Sequence, residues 1–243
     1  MTVVEPIRGR VERAFRACRI FQGVDDEVVA TLARHSVRRT YERGDGIWRA
    51  GDPATSMAVI TSGIVKVVQG RNGAILALFG PHETFGEMAV VESGPYTADA
   101  TAATQQVELL CIDAAAVRSA VATHAAFARS LERSLVAHAR ELEEKVRIMS
   151  AGCVERRLAA LLSHLQDRFG DELEDGSQIV PVALSRAELA SLVGATIETT
   201  IRTMCRLQRE GLVSTVREGF VVHAPDRLAG LEPAHEESAS TST

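Results

Sequence analysis

The chain has 243 residues, 46% of them hydrophobic and 24% charged, with a formal net charge of −5 at pH 7. That length carries two cores, and no apolar run approaches the roughly 20 residues needed to cross a bilayer, so a membrane partner is not expected. The acidic balance weighs against indiscriminate nucleic-acid binding and leaves specific binding to depend on where the positive charge sits.

Residues 1–15 mix arginines with acids and show neither an apolar core nor a small-residue cleavage site. No secretion signal is read there, and a cytoplasmic location is expected. Cys18, Cys111, Cys153 and Cys205 lie more than forty residues apart and form no Cys-x-x-Cys pair. They do not have zinc-site spacing, and each is read as a small packed residue rather than a redox sensor.

Residues 19–112 are rich in Gly and β-branched residues arranged in short runs, such as Ala58-Val59-Ile60, Ile64-Val65-Lys66-Val67-Val68, Ala74-Ile75-Leu76-Ala77-Leu78-Phe79 and Val107-Glu108-Leu109-Leu110-Cys111-Ile112. Turn signals separate them: Arg43-Gly44-Asp45-Gly46, Gly51-Asp52-Pro53, Thr61-Ser62-Gly63, Asn72-Gly73 and Gly80-Pro81. Strands at this spacing predict an antiparallel β-barrel or jelly roll, placed at residues 15–122. Asn72-Gly73 is the sharpest hairpin marker, because both residues accept positive φ.

Residues 113–149 contain no Gly or Pro and read as a short helix followed by a long one. Leu131, Leu135, His138, Leu142 and Met149 recur at steps of three, four and seven, a stripe as narrow as a coiled-coil seam. Residues 123–150 are therefore expected to be a dimerisation helix. The competing reading packs the stripe back on the β-domain. Gly152 breaks the helix, residues 154–168 form another, and residues 170–176 read as a polar loop. The Ser-, Thr- and Glu-rich end, residues 230–243, is expected to be a disordered tail.

Within 151–229 the clearest signal starts at Ser185, which with Glu188 has capping-box spacing, so a helix should begin at Arg186. Gly194 supplies a tight turn, Thr196 a second N-cap, and residues 197–210 a second helix that Gly211 ends. Two helices joined by a short Gly-containing turn form the DNA-reading helix-turn-helix. On the second helix Thr200, Met204 and Leu207 should face inward. Glu198 and Arg202 share an outer face, where Arg can pair with guanine and Glu can accept from cytosine. The alternative is a plain i, i+4 surface ion pair. Ile201 is placed to meet a thymine methyl, Ile197 lies one turn before it, and Arg186, Thr199 and Arg206 are placed for phosphates. Residues 212–223 read as a hairpin, hence a wing. Residues 184–217 carry five Arg against three Glu, a local positive excess of two in an acidic chain.

The expected class is thus α+β: an N-terminal β-barrel, a long dimerisation helix and a C-terminal winged helix-turn-helix. In that order, and over residues 15–229, the chain resembles the Crp/Fnr family of bacterial transcription regulators. Gly51-Asp52-Pro53 and residues 57–67 look like the family's early barrel signature, Phe85-Gly86-Glu87-Met88 like the start of its phosphate-binding cassette, and Glu198-Thr199-Thr200-Ile201-Arg202 like its recognition-helix core. The resemblance implies a homodimer on a palindromic duplex with a TGA-like or GTGA-like half-site core read by Glu198 and Arg202. It also implies RNA polymerase as a partner and regulation by an effector in the barrel. Position 201 is commonly small or polar in the family, so Ile201 leaves the flanking base preference open.

The effector pattern departs from the family. Its cyclic-nucleotide binders pair a Gly-Glu, kept here as Gly86 and Glu87, with an Arg-Ser/Thr-Ala triplet, which here reads Tyr96-Thr97-Ala98. Tyr96 brings no positive charge to a cyclic phosphate, a loss of about 1.5–3 kcal/mol or more. The long-helix pair that meets the adenine aligns with Leu142 and Glu143. Both departures argue against cyclic AMP. The iron–sulfur branch carries clustered N-terminal cysteines, whereas only Cys18 lies there. His82 stands as a haem-ligand candidate against its reading as a surface-loop histidine. An apolar or uncharged effector, or none, remains, with Gly86, Glu87, Met88, Tyr96, Thr97, Ala98, Leu142 and Glu143 as the candidate pocket. No Ser-His-Asp, metal-ligand or P-loop constellation appears in the sequence, so an enzyme is not expected. The competing class is a constitutive DNA-binding or scaffold protein whose ligand-free barrel is an interaction module.

Overall fold

Chain texture changes from β-branched runs to Ala- and Leu-rich helix at Asp113, and the architecture changes with it. The computed structural model describes residues 7–70 and 73–231. The chain divides into two compact units, Met1–Glu143 and Glu144–Thr243. Asn72 and residues 232–243, which carry one hairpin residue and nearly all of the expected tail, lie outside the described residues.

The first unit opens with α1 (Ile7–Ala17), a 3-10 turn (Arg19–Phe21) and α2 (Asp26–Arg34). Eight strands follow: β1 (Ser36–Glu42), β2 (Gly46–Trp48), β3 (Ser56–Ser62), β4 (Val65–Gln69), β5 (Ala74–Phe79), β6 (Thr84–Phe85), β7 (Asp99–Ala102) and β8 (Gln106–Asp113), with α3 (Glu87–Glu92) between the sixth and seventh. They form two antiparallel sheets of order β1-β8-β3-β6 and β2-β7-β4-β5, the expected jelly-roll layout. Then come α4 (Ala114–Thr123), capped by the Asp113 carboxylate, and α5 (Ala125–Ser150), the short and long helices expected.

β3 and β8 are buried on both faces, which is why they read as continuous apolar runs rather than alternating ones. Ala58, Ile60, Val107 and Leu109 point into the barrel with Phe85, Ala100 and Ala102. Met57, Val59, Leu110 and Ile112 point outward into a second core, built with Phe15, Phe21, Leu32, Val117, Phe127 and Leu131. Gly63, between β3 and β4, has φ 81°, and a Cβ there would lie 2.2 Å from the Gln106 carbonyl, so the bend requires glycine. The helical start of the unit differs from the sequence expectation, which places residues 19–34 in strand-forming chain. α2 is a short helix whose Val28, Val29, Leu32 and Ala33 form one buried face, a pattern too brief to stand out beside the turn signals that follow.

The stripe on α5 is corrected by the same packing. Leu131 is 3% exposed and belongs to the second core, so it is not presented to a partner, and His138 is half-buried with Nδ1 3.4 Å from Glu87 Oε1. The exposed large hydrophobic residues of α5 are Val136, Leu142, Val146 and Met149. The confusion is physical: spacings of three, four and seven describe a globular core face as well as a coiled-coil seam, and here the first half of the helix uses them for the core.

The second unit contains α6 (Val154–Phe169), β9 (Asp171–Glu172), β10 (Gln178–Val180), α7 (Arg186–Val193), α8 (Ile197–Arg209), β11 (Val213–Thr215), β12 (Phe220–Val222) and α9 (Pro225–Ala229). α6 packs on α7 and α8 through a face that includes Leu158, Leu161, Leu162 and Leu165. The expected wing, β11 with β12, is half of a four-stranded sheet of order β11-β12-β10-β9. Residues 170–176, expected to be a loop, include a strand, because Asp175 closes a tight hairpin: its carboxylate accepts from the Ser177 amide (3.0 Å) and hydroxyl (2.5 Å). Those two bonds favour the ionised form and hold the Asp175 carboxyl below the usual aspartate range.

Candidate nucleic-acid interface and barrel site

The helix-turn-helix is set by short-range bonds that the sequence already spells out. The Glu188 amide donates to Ser185 Oγ (3.2 Å) and the Ser185 amide donates to Glu188 Oε2 (2.8 Å), a complete capping box at the start of α7. Gly194 ends that helix in the left-handed region at φ 62°, and the Thr199 amide donates to Thr196 Oγ1 (3.2 Å) to start α8. On α8 Thr200, Thr203, Met204 and Leu207 are buried, while Ile197, Glu198, Ile201, Arg202 and Arg206 are exposed and Thr199 is half-buried. At about 100° per residue, Glu198 and Arg202 point away from the buried face. Ile197 and Ile201 lie along one flank of that ridge, and Thr199 and Arg206 along the other.

The surface ion pair weighed as the alternative for Glu198 and Arg202 is not formed among the described residues; the Arg202 guanidinium instead reaches Thr199 Oγ1 at 3.5 Å. The residues assigned to phosphates are less free. Arg206 is ion-paired with Glu155 of α6. Arg186 donates to Thr215 Oγ1 (2.8 Å), which also accepts from Gln208 (3.1 Å), so the start of α7, the end of α8 and the wing meet at one hydroxyl. Sequence reasoning missed Arg157. Its guanidinium donates to the carbonyls of Gly152 (3.0 Å), Val193 (3.2 Å) and Gly194 (3.4 Å), tying the start of α6 to the turn of the motif. Residues so far apart along the chain leave no local signal of that contact.

In the first unit Gly86 caps α3 in the left-handed region and Glu87 opens it, 1% exposed. Glu87 Oε1 accepts from Thr84 Oγ1 (3.2 Å) and Ser134 Oγ (3.3 Å), and His138 Nδ1 lies 3.4 Å from it. The buried carboxylate is thus satisfied by one strand and by α5. The helix contributes Ser134 and His138 there; Leu142 and Glu143, the residues aligned with adenine contacts, are exposed. Met88 is exposed as well, 58%.

Tyr96 is buried and stacked flat on Trp48, centroids 4.0 Å apart at 3°. Its hydroxyl donates to the Ser56 carbonyl (2.5 Å) and accepts from the Ser56 amide (3.3 Å). Trp48 stacks in turn on Phe85 (4.6 Å), Phe85 on Phe79 (5.8 Å), and Phe79 meets the edge of His138 (5.0 Å). A column of aromatic rings therefore links the Tyr96-Thr97-Ala98 triplet to the long helix. Thr97 is exposed and Ala98 buried. Trp48 and Phe79 lie far from the triplet in sequence and carried no motif.

The Tyr96-Thr97-Ala98 triplet brings no cation to the place where the family's triplet carries one. Residues 86–98 contain no Lys, Arg or His, the hydroxyl of Tyr96 is engaged at both lone pair and proton by Ser56, and its ring face is covered by Trp48. The triplet itself therefore offers a buried phosphate no charged partner; from elsewhere in the chain the Arg118 guanidinium reaches the Val90 carbonyl of α3 (3.4 Å) and His138 reaches Glu87. His82 sits in an exposed turn at φ 69°. Among the described residues no group of three or more His, Cys, Asp or Glu is arranged to hold a metal ion. Cys18 is buried, and burial pushes its thiol up to about 12; Cys111 is half-buried and shifted the same way, while Cys153 and Cys205 are exposed.

Residues 38–124 match the family model for the cyclic nucleotide-binding domain, and residues 156–231 match that for the Crp-like helix-turn-helix domain. The chain is 30% identical to a CRP-like cAMP-activated global transcriptional regulator of Mycobacterium tuberculosis, over 86% of this chain and 94% of that one. It is 29% identical to the cyclic AMP receptor protein of Thermus thermophilus, over 80% of this chain and 87% of that protein. FixK2 from Bradyrhizobium japonicum matches in structure with a TM-score of 0.68 and 22% identity, covering 82% of this chain and 98% of that one; this likeness speaks to the fold alone. No described helix is long and apolar enough to cross a membrane.

Proposed function

Since the chain belongs to the Crp/Fnr family of transcription regulators, we propose that it works as a homodimer on a palindromic duplex, with Glu198 and Arg202 of each copy reading base edges in the major groove. The observation that carries this reading is the unpaired outward ridge of those two residues on α8, directly opposite its buried face. Arg202 addresses guanine O6 and N7 and Glu198 accepts from a cytosine amino group. Thr199, at the start of the helix, and Arg186 lie beside the phosphates; Arg206 joins them by exchanging Glu155 for a phosphate oxygen. The exposed apolar residues of α5, Val136, Leu142, Val146 and Met149, meet their counterparts in the second copy. In this reading the protein acts in the cytoplasm and addresses RNA polymerase, and its role is regulatory rather than enzymatic.

The barrel does not take cyclic AMP. The support is chemical: an uncharged, stacked tyrosine stands where the phosphate's cation is needed. An uncharged effector that parts the Tyr96–Trp48 stack shifts the α5 contacts through Phe79 and His138 and so biases DNA binding, a population shift between two states. The filled aromatic column also favours a second reading, a constitutive regulator whose ligand-free barrel is an interaction module. A thermal-shift panel of cyclic nucleotides, haem and small metabolites separates the two, because an effector of the native state raises Tm.

The test of the DNA assignment is Arg202→Ala in the full-length protein. Its preference for the selected palindrome over a scrambled duplex should fall by about tenfold to a hundredfold, while salt-sensitive general binding persists. Unchanged preference would defeat the assignment.

A further inference from the structure

Arg186 and Arg209 give their guanidinium protons to neutral oxygens, the Thr215 hydroxyl (2.8 Å) and the Cys205 carbonyl (3.3 Å). Arg206 differs from both. It is ion-paired with the carboxylate of Glu155, in the first turn of α6, and the two side chains are 46% and 25% exposed. A carboxylate and a phosphate present the same kind of charged oxygen to a guanidinium, so Glu155 already gives Arg206 an acceptor of the kind a DNA backbone brings. The start of α6 is held in place: Arg157, two residues on, donates to the carbonyls of Gly152, Val193 and Gly194, and α6 packs on α8. Glu155 is therefore a fixed neighbour of the recognition helix. The N-terminal end of α6 favours a negative charge at this position, so the carboxylate keeps a counter-charge when Arg206 leaves it.

Resting on the assignment of α8 to DNA, we propose that Glu155 is a specificity-determining residue: a resident stand-in for a phosphate oxygen that withholds Arg206 from duplexes lacking the half-site. On such duplexes only backbone contacts are on offer. Exchanging one oxyanion for another at Arg206 gains little there, and it turns the Glu155 carboxylate towards phosphate, a like-charge contact. The pair persists and the footprint is one phosphate smaller. On the palindrome the base contacts of Glu198 and Arg202 hold α8 in the groove, a phosphate is fixed beside Arg206, and the exchange goes forward. Discrimination of this kind comes from weaker binding to wrong sequences rather than from a further base contact. Glu155 lies outside the helix-turn-helix and reads no base.

Glu155→Gln keeps the shape of the side chain and removes its charge, and Arg206→Ala removes the other partner. Affinities of the full-length wild type and of both variants are measured across a salt series for the selected palindrome and for a scrambled duplex, with Tm verifying the fold of each. In Glu155→Gln the scrambled duplex should bind about threefold to tenfold tighter. Its slope of log affinity against log salt should steepen by about 0.9 per bound copy, while the slope on the palindrome stays as in the wild type. The ratio of the two affinities falls accordingly. In Arg206→Ala the palindrome should lose the same increment of slope and the scrambled duplex should not. A gain shared equally by both duplexes, which a general loss of negative charge produces, or no gain on the scrambled one, overturns the proposal. Arg202→Ala tells this failure from failure of the base reading. If that variant loses the preference while Glu155→Gln leaves the ratio unchanged, the base reading stands and the role of Glu155 falls. If Arg202→Ala prefers the palindrome as the wild type does, or no duplex is enriched at all, both fall together.

Discussion

Single residues in this chain separate what a site inherits from what it does. Glu87 keeps its place at the head of α3, yet its carboxylate is spent on Thr84, Ser134 and His138. Tyr96 keeps its place in the triplet, yet its hydroxyl is spent on Ser56 and its ring on Trp48. Cys18 is a case where burial alone decides chemistry. It is fully buried against Phe15, Phe21 and their neighbours, with Sγ donating to the Ala14 carbonyl (3.2 Å), and burial shifts the thiol to about 12. The unfolded chain ionises this thiol near pH 8.5. Above that pH the unfolded state therefore holds fewer protons than the native one, and native stability falls until the pH passes about 12. Chemical denaturation of the wild type and Cys18→Ala between pH 8 and 11 should show the wild type losing up to about 1 kcal/mol per pH unit more than the variant. Parallel pH profiles for the two would contradict the shift.

Elements were legible where their determinants are local. The helix-turn-helix is written in consecutive residues: a Ser185–Glu188 box, Gly194 in the left-handed turn, Thr196 as a cap. The strands β3, β5 and β8 were legible from their apolar runs, although for β3 and β8 the reason for those runs, burial on both faces, depends on residues far away in sequence. α1, α2 and the β9–β10 hairpin were missed because their signals are short. Of the barrel site, Glu87 and Tyr96 were legible from position, whereas Trp48, Phe79 and Ser134 reach them only through the tertiary fold. The long helix α5 shows how one period serves two purposes. Leu131→Ala removes a core side chain and should cost about 2–5 kcal/mol of stability. Val146→Asp changes a residue 64% exposed and should leave stability nearly untouched while placing like charges across a two-fold contact. Sedimentation and denaturation together check this pair: a monomeric, stable Val146→Asp and a destabilised Leu131→Ala are expected, and a Val146→Asp protein that still dimerises as the wild type does would move the interface elsewhere.

At the scale of the whole molecule, the boundary between the two compact units falls within the long helix α5. Net charge is −5, and the recognition motif and wing, residues 184–217, carry five Arg against three Glu. Such a molecule binds duplexes weakly unless base contacts add to phosphate contacts and a second copy doubles them. Dimer symmetry then dictates the symmetry of the site, with half-sites about one helical turn, roughly 34 Å, apart. Enrichment of duplexes from a random pool by the full-length protein, read by sequencing at physiological salt, measures that consequence directly. The account predicts an inverted repeat whose two halves are centred 10–11 base pairs apart (about one turn), each with a guanine that loses its importance in Arg202→Ala. Enrichment of an unsymmetrical sequence, or none above the starting pool, would contradict it.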